Sequence, residues 1–302
     1  MGIGAIIPNS GAVASQLHPV DMARIAEAAG AEGLWLSDHL LMVDTPVDYY
    51  PYSDDGHLTW DVADDYLETL MCCAAIATAT TTAVVGPAVL ILPQRNVLQV
   101  AKEATTIDRL SNGRFILGVG SGWNIPEMEA LGYPFTGRTR RFEEQLGILA
   151  DAWSGRPSAF DGEQVRIPSD IVLHPIPANG REVPLLVGGM AAPALKRAAR
   201  AGGWMAISAA HVWDPAAMST SMNAYVQWCS ELGTTARPVL KLHSDANSQH
   251  RVADVVRSAI EELGFIHVIV DPPWATSTDA AAEMISSLAE FFSGEPLTQH
   301  WG

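Results

Sequence analysis

The stretch at 104–123, ATTIDRLSNGRFILGVGSGW, constrains the fold of this chain more than any other. Its helical first part ends at SNG, residues 111–113, because Asn and Gly tolerate the left-handed backbone that closes helices. The apolar run FIL at 115–117 is typical of a strand buried on both faces. Glycines at the carboxyl end of such a strand let a flat or anionic ligand approach the backbone. The stretch therefore predicts a parallel α/β protein whose ligand lies at the strand tips, near Gly118, Gly120 and Gly122.

Composition and charge restrict the partners. The 302 residues are 48% hydrophobic, and a chain of this length buries roughly 75% of its unfolded surface. The net charge of −16 repels phosphate-rich polymers at long range, so we expect no nucleic-acid partner. An anionic small ligand has to be held locally, by backbone N–H groups or by a few arginines.

The cysteines and the amino terminus indicate a cytoplasmic protein. Cys72 and Cys73 are adjacent in a helical stretch, which gives neither a disulfide framework nor a metal-ligand spacing. The first residues, MGIGAIIP, lack the basic region and long apolar segment of a signal peptide. No apolar run approaches the ~20 residues that span a bilayer. We therefore expect no membrane association and no metal site.

Apolar runs alternate with helical stripes along the whole chain. Eight strand–helix pairs in roughly 300 residues indicate a (β/α)8 TIM barrel in a single domain, residues 1–302. A doubly wound sheet is the alternative, but no break in the alternation marks the switch point that it requires. One long helix is expected from about residue 61 to 80. The predicted strands are 2–7, 34–37, 83–91, 114–117, 185–187, 204–208, 239–243 and 265–271.

Three local features interrupt this alternation. The loop at 42–60 is long and rich in Tyr, Asp and Trp, which is typical of a lid. The segment at 154–184 is rich in Pro and Gly and is expected to be an excursion from the barrel after the fourth strand. Pro87, inside the third strand, cannot donate to the ladder and indicates a bulge.

The active site of such a barrel lies at the carboxyl ends of its strands. His39 is the leading candidate for proton transfer, because imidazole changes charge near neutral pH. Gly188-Gly189 precedes a helix and outlines an anion site, or alternatively only a tight turn. The spacing GVGSG at 118–122 is not the G-x-G-x-x-G of dinucleotide folds, and no simple helix is expected to open after it. These glycines either let a ligand approach the backbone or are needed only for the turns of the loop. The residues at these ends are Asp38, His39, Pro87, Ala88, Gly120 to Trp123, Gly188, Gly189, Ser208, His243 and Asp271.

Arg138, Arg140 and Arg141 form the one basic cluster in this acidic sequence. They either pair with nearby acids such as Glu143 and Glu144, or attract the anionic tail of a cofactor. The sequence leaves both interpretations open.

Several motifs resemble those of the luciferase-like monooxygenase superfamily. They are LWLSDH at 34–39, TIDRLSNGRF at 106–115 and LGVGSGW at 117–123, and RTRRFEE at 138–144 and VGG at 187–189 extend the similarity. The resemblance implies a luciferase-like (β/α)8 barrel that binds coenzyme F420 or, alternatively, FMN. The compact length and the run LSNGRFILGVGSGW are closer to the F420-dependent branch. The resemblance also implies a homodimer, with the helices near the second and third strands as the expected contact.

The resemblance further implies roles for individual residues. Asp38 and His39 would lie beside the reactive ring as the catalytic pair. A bulge with a non-prolyl cis peptide at Ala88–Val89 would lie behind the ring. The implied cofactor-binding residues are Asp38, His39, Ala88, Val89, Gly120, Ser121, Gly122, Trp123, Gly188 and Gly189.

Trp123 departs from one branch of the family. The sugar-phosphate dehydrogenases carry a glutamate there, so an indole makes that substrate class doubtful and favours a less polar substrate. We therefore expect hydride transfer between F420 and a small carbonyl, alcohol, imine or activated alkene. One alternative is an FMN-dependent two-component monooxygenase that works with a separate flavin reductase. A second is a non-catalytic protein that binds the flavin or deazaflavin.

Overall fold

The strands of this protein form a barrel and one small hairpin. A computed structural model describes residues 2–44, 61–180, 182–292 and 297–301. Within these residues, nine strands pair in parallel in one sheet, and β6 and β7 form a separate antiparallel hairpin. The strands are β1 (Gly2–Ile6), β2 (Gly33–Leu36), β3 (Val84–Pro87), β4 (Leu90–Ile91), β5 (Leu117–Gly120), β6 (Phe160–Asp161), β7 (Arg166–Ile167), β8 (Leu185–Gly188), β9 (Trp204–Ala209), β10 (Pro238–His243) and β11 (His267–Val270).

The helices follow the strands and cover the outside of the sheet. They begin where the sequence supplies caps: Asn96 accepts from the amides of Leu98 and Gln99 at the start of α4. As predicted, α4 ends before Asn112 and Gly113, which have φ of +57° and +81°. The helices are α1 (Gly11–Gln16), α2 (Pro19–Ala28), α3 (Thr69–Ala79), α4 (Val97–Leu110), α5 (Ile125–Ala130), α6 (Arg138–Ala152), α7 (Ala192–Ala201), α8 (Pro215–Leu232), α9 (Val252–Arg257) and α10 (Thr278–Phe291).

The sheet closes on itself, which confirms the TIM barrel and excludes the doubly wound alternative. Its strand order is β3-β2-β1-β11-β10-β9-β8-β5-β4. The end strands β3 and β4 are two pieces of the one predicted third strand, separated at Pro87 as its bulge signal indicates. The cylinder closes because Val85 forms a parallel bridge with Phe115. The amide of Val85 donates to the carbonyl of Arg114 at 2.9 Å, and that of Ile116 donates back to Val85 at 3.0 Å.

Alternation along the strands separates two apolar cores. One core fills the inside of the barrel, and the other packs between the barrel and its helices. Since successive side chains point to opposite faces of a strand, the inward positions recur every second residue. The inner core includes Trp35, Val84, Ile116, Leu186, Met205, Val239 and Ile269.

Two sequence predictions about elements were wrong in their bounds, and one helix was missed. The helix expected from residue 61 begins only at Thr69, because the Asp61 carboxylate accepts from the amide of Ala63 and forms a local turn instead. The fourth strand is regular only from Leu117, although the bridge at Phe115 precedes it. A helix, α5, does open soon after the glycines, where the sequence had indicated none.

The excursion at 154–184 contains the β6–β7 hairpin. The buried carboxylate of Glu144 on α6 accepts the amides of Glu163, Gln164 and Val165 and holds this hairpin against the barrel. Residues 45–60, which make up most of the expected lid at 42–60, lie outside the described residues. No helix in the described ranges is long and apolar enough to cross a membrane.

Candidate active site

Parallel strands place all their carboxyl ends on one edge of the barrel, which we call the mouth. Asp38 and His39 follow β2, Ala88 follows β3, and Gly120 and Gly188 end β5 and β8. On the far side, His243 ends β10 and Asp271 follows β11. The predicted site residues therefore share one edge of the barrel, as the topology requires.

A buried carboxylate holds His39. Nδ1 of His39 lies 2.6 Å from Oε2 of Glu127, and neither side chain is more than 9% exposed. The other oxygen of Glu127 accepts from the amide of Leu40 at 2.7 Å and from Nε2 of Gln94 at 2.8 Å. An ionised carboxylate only accepts hydrogen bonds, so Nδ1 of His39 donates. This contact fixes the plane of the imidazole.

Two aromatic side chains stand beside the same imidazole. The ring centroid of Trp123 lies 5.6 Å from that of His39, and the ring of Tyr66 lies at 5.7 Å on an edge-on approach. Edge-to-face contacts of this length are favourable for aromatic rings. His39 therefore stands between apolar walls at the tip of β2.

Asp38 is engaged within the protein. Its oxygens accept from the hydroxyl of Thr69 at 2.9 Å, the amide of Ile91 at 2.8 Å and the guanidinium of Arg95 at 2.7 Å. Arg95 also pairs with Glu68 at 3.0 Å. Burial raises the pKa of Asp38, whereas Arg95 and the two hydrogen-bond donors act in the opposite direction. These contacts tie the end of β2 to β4 and α3, which holds the neighbouring His39 in place.

The glycines after β5 serve the barrel wall as well as the mouth. A Cβ on Gly118 would lie 2.2 Å from the carbonyl oxygen of Pro87, so only glycine lets β5 approach β3 this closely. Gly122 has φ of +73°, which favours glycine at the turn that leads out of the barrel. Gly122 therefore agrees with the alternative that the loop needs glycine for its turns, whereas Gly118 is required by packing.

The peptide bond between Ala88 and Val89 is cis, as the resemblance predicts. The carbonyl oxygen of Ala88 accepts a hydrogen bond of 2.6 Å from Nζ of Lys241, which reaches it from inside the barrel. Burial lowers the pKa of Lys241, although the carboxylate of Asp271 opposes that effect.

Gly188-Gly189 leads to the amino terminus of α7. Gly189 has φ of +128°, and its carbonyl accepts from the indole N–H of Trp204 at 2.8 Å. The residue before the helix is Ala191, whose side chain provides no cap. Pro193 has no N–H and the amide of Ala194 donates to the carbonyl of Ala191, so the helix dipole is the main feature that favours an anion at this end.

The three arginines of the basic cluster have different roles. Arg140 pairs with Glu144, as one of the two interpretations expected. Arg141 is buried and donates to backbone carbonyls, including that of Pro93 at 2.8 Å. Arg138 donates to the carbonyl of Gly122 at 3.3 Å. Only Arg138 thus contacts the glycine-rich loop at the mouth.

Sequence reasoning missed Glu127, Gln94, Arg95 and Lys241. Asn124 caps α5, since its side-chain oxygen accepts a hydrogen bond from the amide of Glu127. This helix was not expected from the sequence, and Glu127 was missed with it. A lysine in the apolar strand VLKLH was a signal that could have identified Lys241. Within the described residues, no group of three His, Cys, Asp or Glu side chains could hold a metal ion.

Known proteins match this chain in sequence. The sequence model of the family described as luciferase-like monooxygenase matches residues 8–243. An uncharacterized protein of Mycobacterium tuberculosis is 35% identical over 186 residues, which are 62% of this chain and 64% of that protein. The F420-dependent glucose-6-phosphate dehydrogenase of Amycolatopsis mediterranei is 30% identical over 199 residues, 63% of this chain and 54% of that enzyme. This chain thus spans less than two thirds of the length of these relatives.

Solved structures share the fold over nearly the whole chain. An F420-dependent secondary alcohol dehydrogenase, in complex with an F420–acetone adduct, has a TM-score of 0.74 at 16% identity. The oxygenating constituent of 3,6-diketocamphane monooxygenase from Pseudomonas putida, in complex with FMN, has a TM-score of 0.72 at 14% identity. Each alignment covers 95% of this chain and 98% of the other. At these identities the similarity shows the fold alone.

Proposed function

This chain belongs to the luciferase-like monooxygenase family, and from that premise we propose that it transfers a hydride between coenzyme F420 and a small, fairly apolar organic substrate. The 30% identity to an F420-dependent dehydrogenase supports F420 over FMN. The observation that carries the proposal is the His39–Glu127 pair at the mouth, walled by Trp123. Oriented imidazole and an apolar wall suit proton exchange next to hydride transfer.

The residues of the mouth fit a flat ring with a phosphate-bearing tail. The dipole of α7 favours a phosphate at its uncapped amino terminus, although Pro193 has no N–H and the amide of Ala194 already donates to Ala191. Arg138 stands at the glycine-rich loop. Glycine at the ends of β5 and β8 leaves these strand tips without side chains. The proposed cofactor-binding residues are those that the resemblance implies: Asp38, His39, Ala88, Val89, Gly120, Ser121, Gly122, Trp123, Gly188 and Gly189.

Bound F420 would supply a ring carbon that carries or accepts the hydride. His39 would hold or move a proton at the mouth, or stabilise charge that develops during transfer. Glu127 keeps its imidazole in one orientation, and Asp38 supports the same turn through Thr69 and Arg95. Trp123 presents an apolar indole where a sugar phosphate would need polar partners, which supports a less polar substrate.

Cofactor titration tests this proposal directly. Purified protein is mixed with F420 and with FMN, each oxidised and reduced, and the four dissociation constants are measured by fluorescence. We expect F420 to bind more tightly than FMN in both redox states. Tighter binding of FMN would refute the F420 assignment. His39→Ala should keep F420 affinity within about threefold but lose turnover; a wild type that binds F420 without any turnover would support the non-catalytic alternative.

An FMN-dependent two-component monooxygenase is the second candidate function. The similarity in fold to an FMN-bound oxygenating constituent supports it. In that case the protein, supplied with reduced FMN by a flavin reductase, should consume oxygen rapidly when substrate is added. An oxygen electrode measures this, and the absence of substrate-dependent consumption would exclude it.

Assembly and location are also part of the proposal. We expect one cytoplasmic domain of residues 1–302 that forms a homodimer through the helices near β2 and β3. Leu67, just before α3, and Met71, on α3, are exposed apolar side chains that support a contact there. Sedimentation of the wild type and of Met71→Glu compares the two predicted states: a dimer for the first and a larger monomer fraction for the second.

A further inference from the structure

A row of polar side chains lines the far side of the barrel interior. Inward positions on β10 are Val239, Lys241 and, at the tip, His243, because side chains alternate between the two faces. On β11 the inward Ile269 is followed by Asp271 in the same register. The contact from Lys241 to the carbonyl of Ala88 across the barrel agrees with this assignment. The barrel interior is therefore apolar away from the mouth and polar at the carboxyl ends of β10 and β11.

His243 and Asp271 form a second imidazole–carboxylate pair. Nδ1 of His243 lies 3.0 Å from Oδ2 of Asp271, and the amide of Ser244 donates to the same oxygen at 3.3 Å. Burial by itself would raise the pKa of Asp271, but His243 and Lys241 outweigh burial and lower it. Asp271 is therefore a carboxylate at neutral pH, and Nδ1 of His243 donates to it.

This contact makes the second nitrogen of His243 available for chemistry. When a carboxylate holds Nδ1–H, Nε2 of the neutral ring is the unprotonated, accepting nitrogen. The side chain of His243 is 38% exposed, and within the described residues its Nε2 has no hydrogen-bond partner.

The second pair lies across the mouth from His39. In the strand order, β2 and β10 are separated by β1 and β11, so the two histidines stand three strands apart around a closed barrel. Among the described residues of β10 and β11, the charged groups beside His243 are Asp271 and Lys241, while its register partner on β9 is the uncharged Ala209. The charges next to His243 are thus one carboxylate and one lysine, which are different residues from those that contact His39.

We propose that His243, positioned by Asp271, exchanges a proton with the oxygen of an alcohol or ketone substrate. This inference rests on the proposed function, which supplies the hydride acceptor. In alcohol oxidation, the C–H bond of the carbinol carbon breaks and its hydride leaves with both electrons to F420, which is reduced. The O–H bond breaks, its proton goes to Nε2 of His243, and its electron pair forms the C=O bond. Ketone reduction is the reverse.

Three variants test the proposal: His243→Gln, Asp271→Asn and the control His211→Gln, which removes an exposed histidine from the same half of the barrel. Each is titrated with oxidised F420 and then assayed for F420 reduction by a panel from propan-2-ol to cyclohexanol across pH 5–9. We expect all three to bind F420 within about threefold of wild type. His243→Gln should lose about 10²- to 10⁴-fold in kcat/KM. His211→Gln should keep the wild-type kcat/KM.

A spectroscopic measurement tests Asp271 without turnover. In ¹⁵N-histidine-labelled protein above pH 8, His243 should carry its proton on Nδ1, and Asp271→Asn should shift the proton to Nε2. A positioning role predicts this change of tautomer, whereas a role in stability alone does not.

The outcomes separate this inference from the proposed function. A wild type that does not bind F420 would refute the proposed function itself. Intact F420 binding with His243→Gln as active as wild type would overturn only the inference. Intact F420 binding with a wild type inert toward the whole panel would overturn it as well, because the substrate class is part of it.

Discussion

Glu127 and Asp271 each hold the Nδ1 side of a histidine at the mouth, but their surroundings differ. Glu127 is fully buried and accepts from three donors: its partner His39, the amide of Leu40 after β2, and Gln94 between β4 and α4. Asp271 is 24% exposed and accepts from its own histidine and one adjoining amide. Since a fully satisfied buried carboxylate has no room to turn, Glu127 should fix its imidazole more firmly than Asp271 does.

The role of Glu127 gives a prediction about rate. Glu127→Gln places an amide N–H₂ where three donors converge, so Nδ1–H of His39 loses its acceptor. We expect kcat to fall about 10- to 100-fold, while the dissociation constant for oxidised F420 changes less than threefold. Glu129→Gln, on the exposed face of the same helix, is the matched control and should behave as wild type. An unchanged kcat in Glu127→Gln would show that His39 needs no such partner.

Lys241 gives a prediction about pH. Burial lowers its pKa below the ordinary 10.5, so between the folded and unfolded pKa the unfolded chain binds more protons. The free energy of unfolding therefore rises with pH toward 10.5 through this residue. Urea unfolding from pH 7 to 10.5 should show a smaller rise for Lys241→Met than for wild type. The exposed Lys196→Met is the control, and equal slopes in wild type and Lys241→Met would contradict the prediction.

Single residues were predictable from the sequence where position alone identifies them. Asp38, His39, His243 and Asp271 were found because each stands at the end of an apolar run. Glu127 was not, because its contact with His39 joins residues 88 apart and comes from a helix that the glycine-rich sequence concealed. Residues that are distant in sequence and meet only in the folded barrel leave no local sequence pattern.

At the scale of elements, Arg114 connects the segment after α4 to the end of α3 and the start of β3. Its guanidinium donates to the carbonyls of Ala77, Thr80 and Ala83 at 2.6–2.9 Å. These are the last turn of α3 and the residue before β3. One side chain thus satisfies the carboxyl end of a helix and joins it to two strands.

This junction predicts a loss of stability in Arg114→Lys. A lysine has a single ammonium and cannot match the planar fork that meets three carbonyls. We expect the free energy of unfolding to fall by about 1–3 kcal/mol, since acceptors there lose their donors. Arg109→Lys, on the exposed side of α4, should change it by less than about 0.5 kcal/mol. A neutral Arg114→Lys in the same urea titration would refute the junction.

Element order and type followed from periodicity, whereas some bounds did not. Pro87 correctly indicated the interruption of the third strand, because a residue without an N–H cannot continue the ladder. The segment at 61–68 was mistaken for helix, since its acidic residues bind the local backbone and compete with helical hydrogen bonds. Where a helix starts thus depends on short polar side chains that bond to the nearby backbone.

At the scale of the whole molecule, the barrel closes through backbones that nearly touch. A Cβ on Gly86 would lie 2.1 Å from the carbonyl oxygen of Ile116, and one on Gly118 would lie 2.2 Å from that of Pro87. Both obstacles are backbone atoms, which cannot move aside as a side chain end can. The closure between β3 and β5 therefore depends on glycine on both sides.

Closure predicts opposite effects for two identical substitutions. Gly118→Ala forces β3 and β5 apart and should lower Tm steeply or leave the protein insoluble. Gly147→Ala, at an exposed site on α6 with open space around its Cβ, should raise the free energy of unfolding by about 0.5–1 kcal/mol. Thermal melts of both variants measure this, and a Gly118→Ala protein that melts like wild type would refute the closure.

The extent of the family match adds a consequence. The matched residues end at 243, so Asp271 lies beyond them while Glu127 lies within. Each imidazole of the mouth thus has its acid in a different part of the polypeptide. Grafting a foreign tail after His243 would preserve the anchor of one imidazole and exchange that of the other. Under the proposed function, such a graft would alter proton exchange with the substrate while keeping the Glu127 anchor of His39.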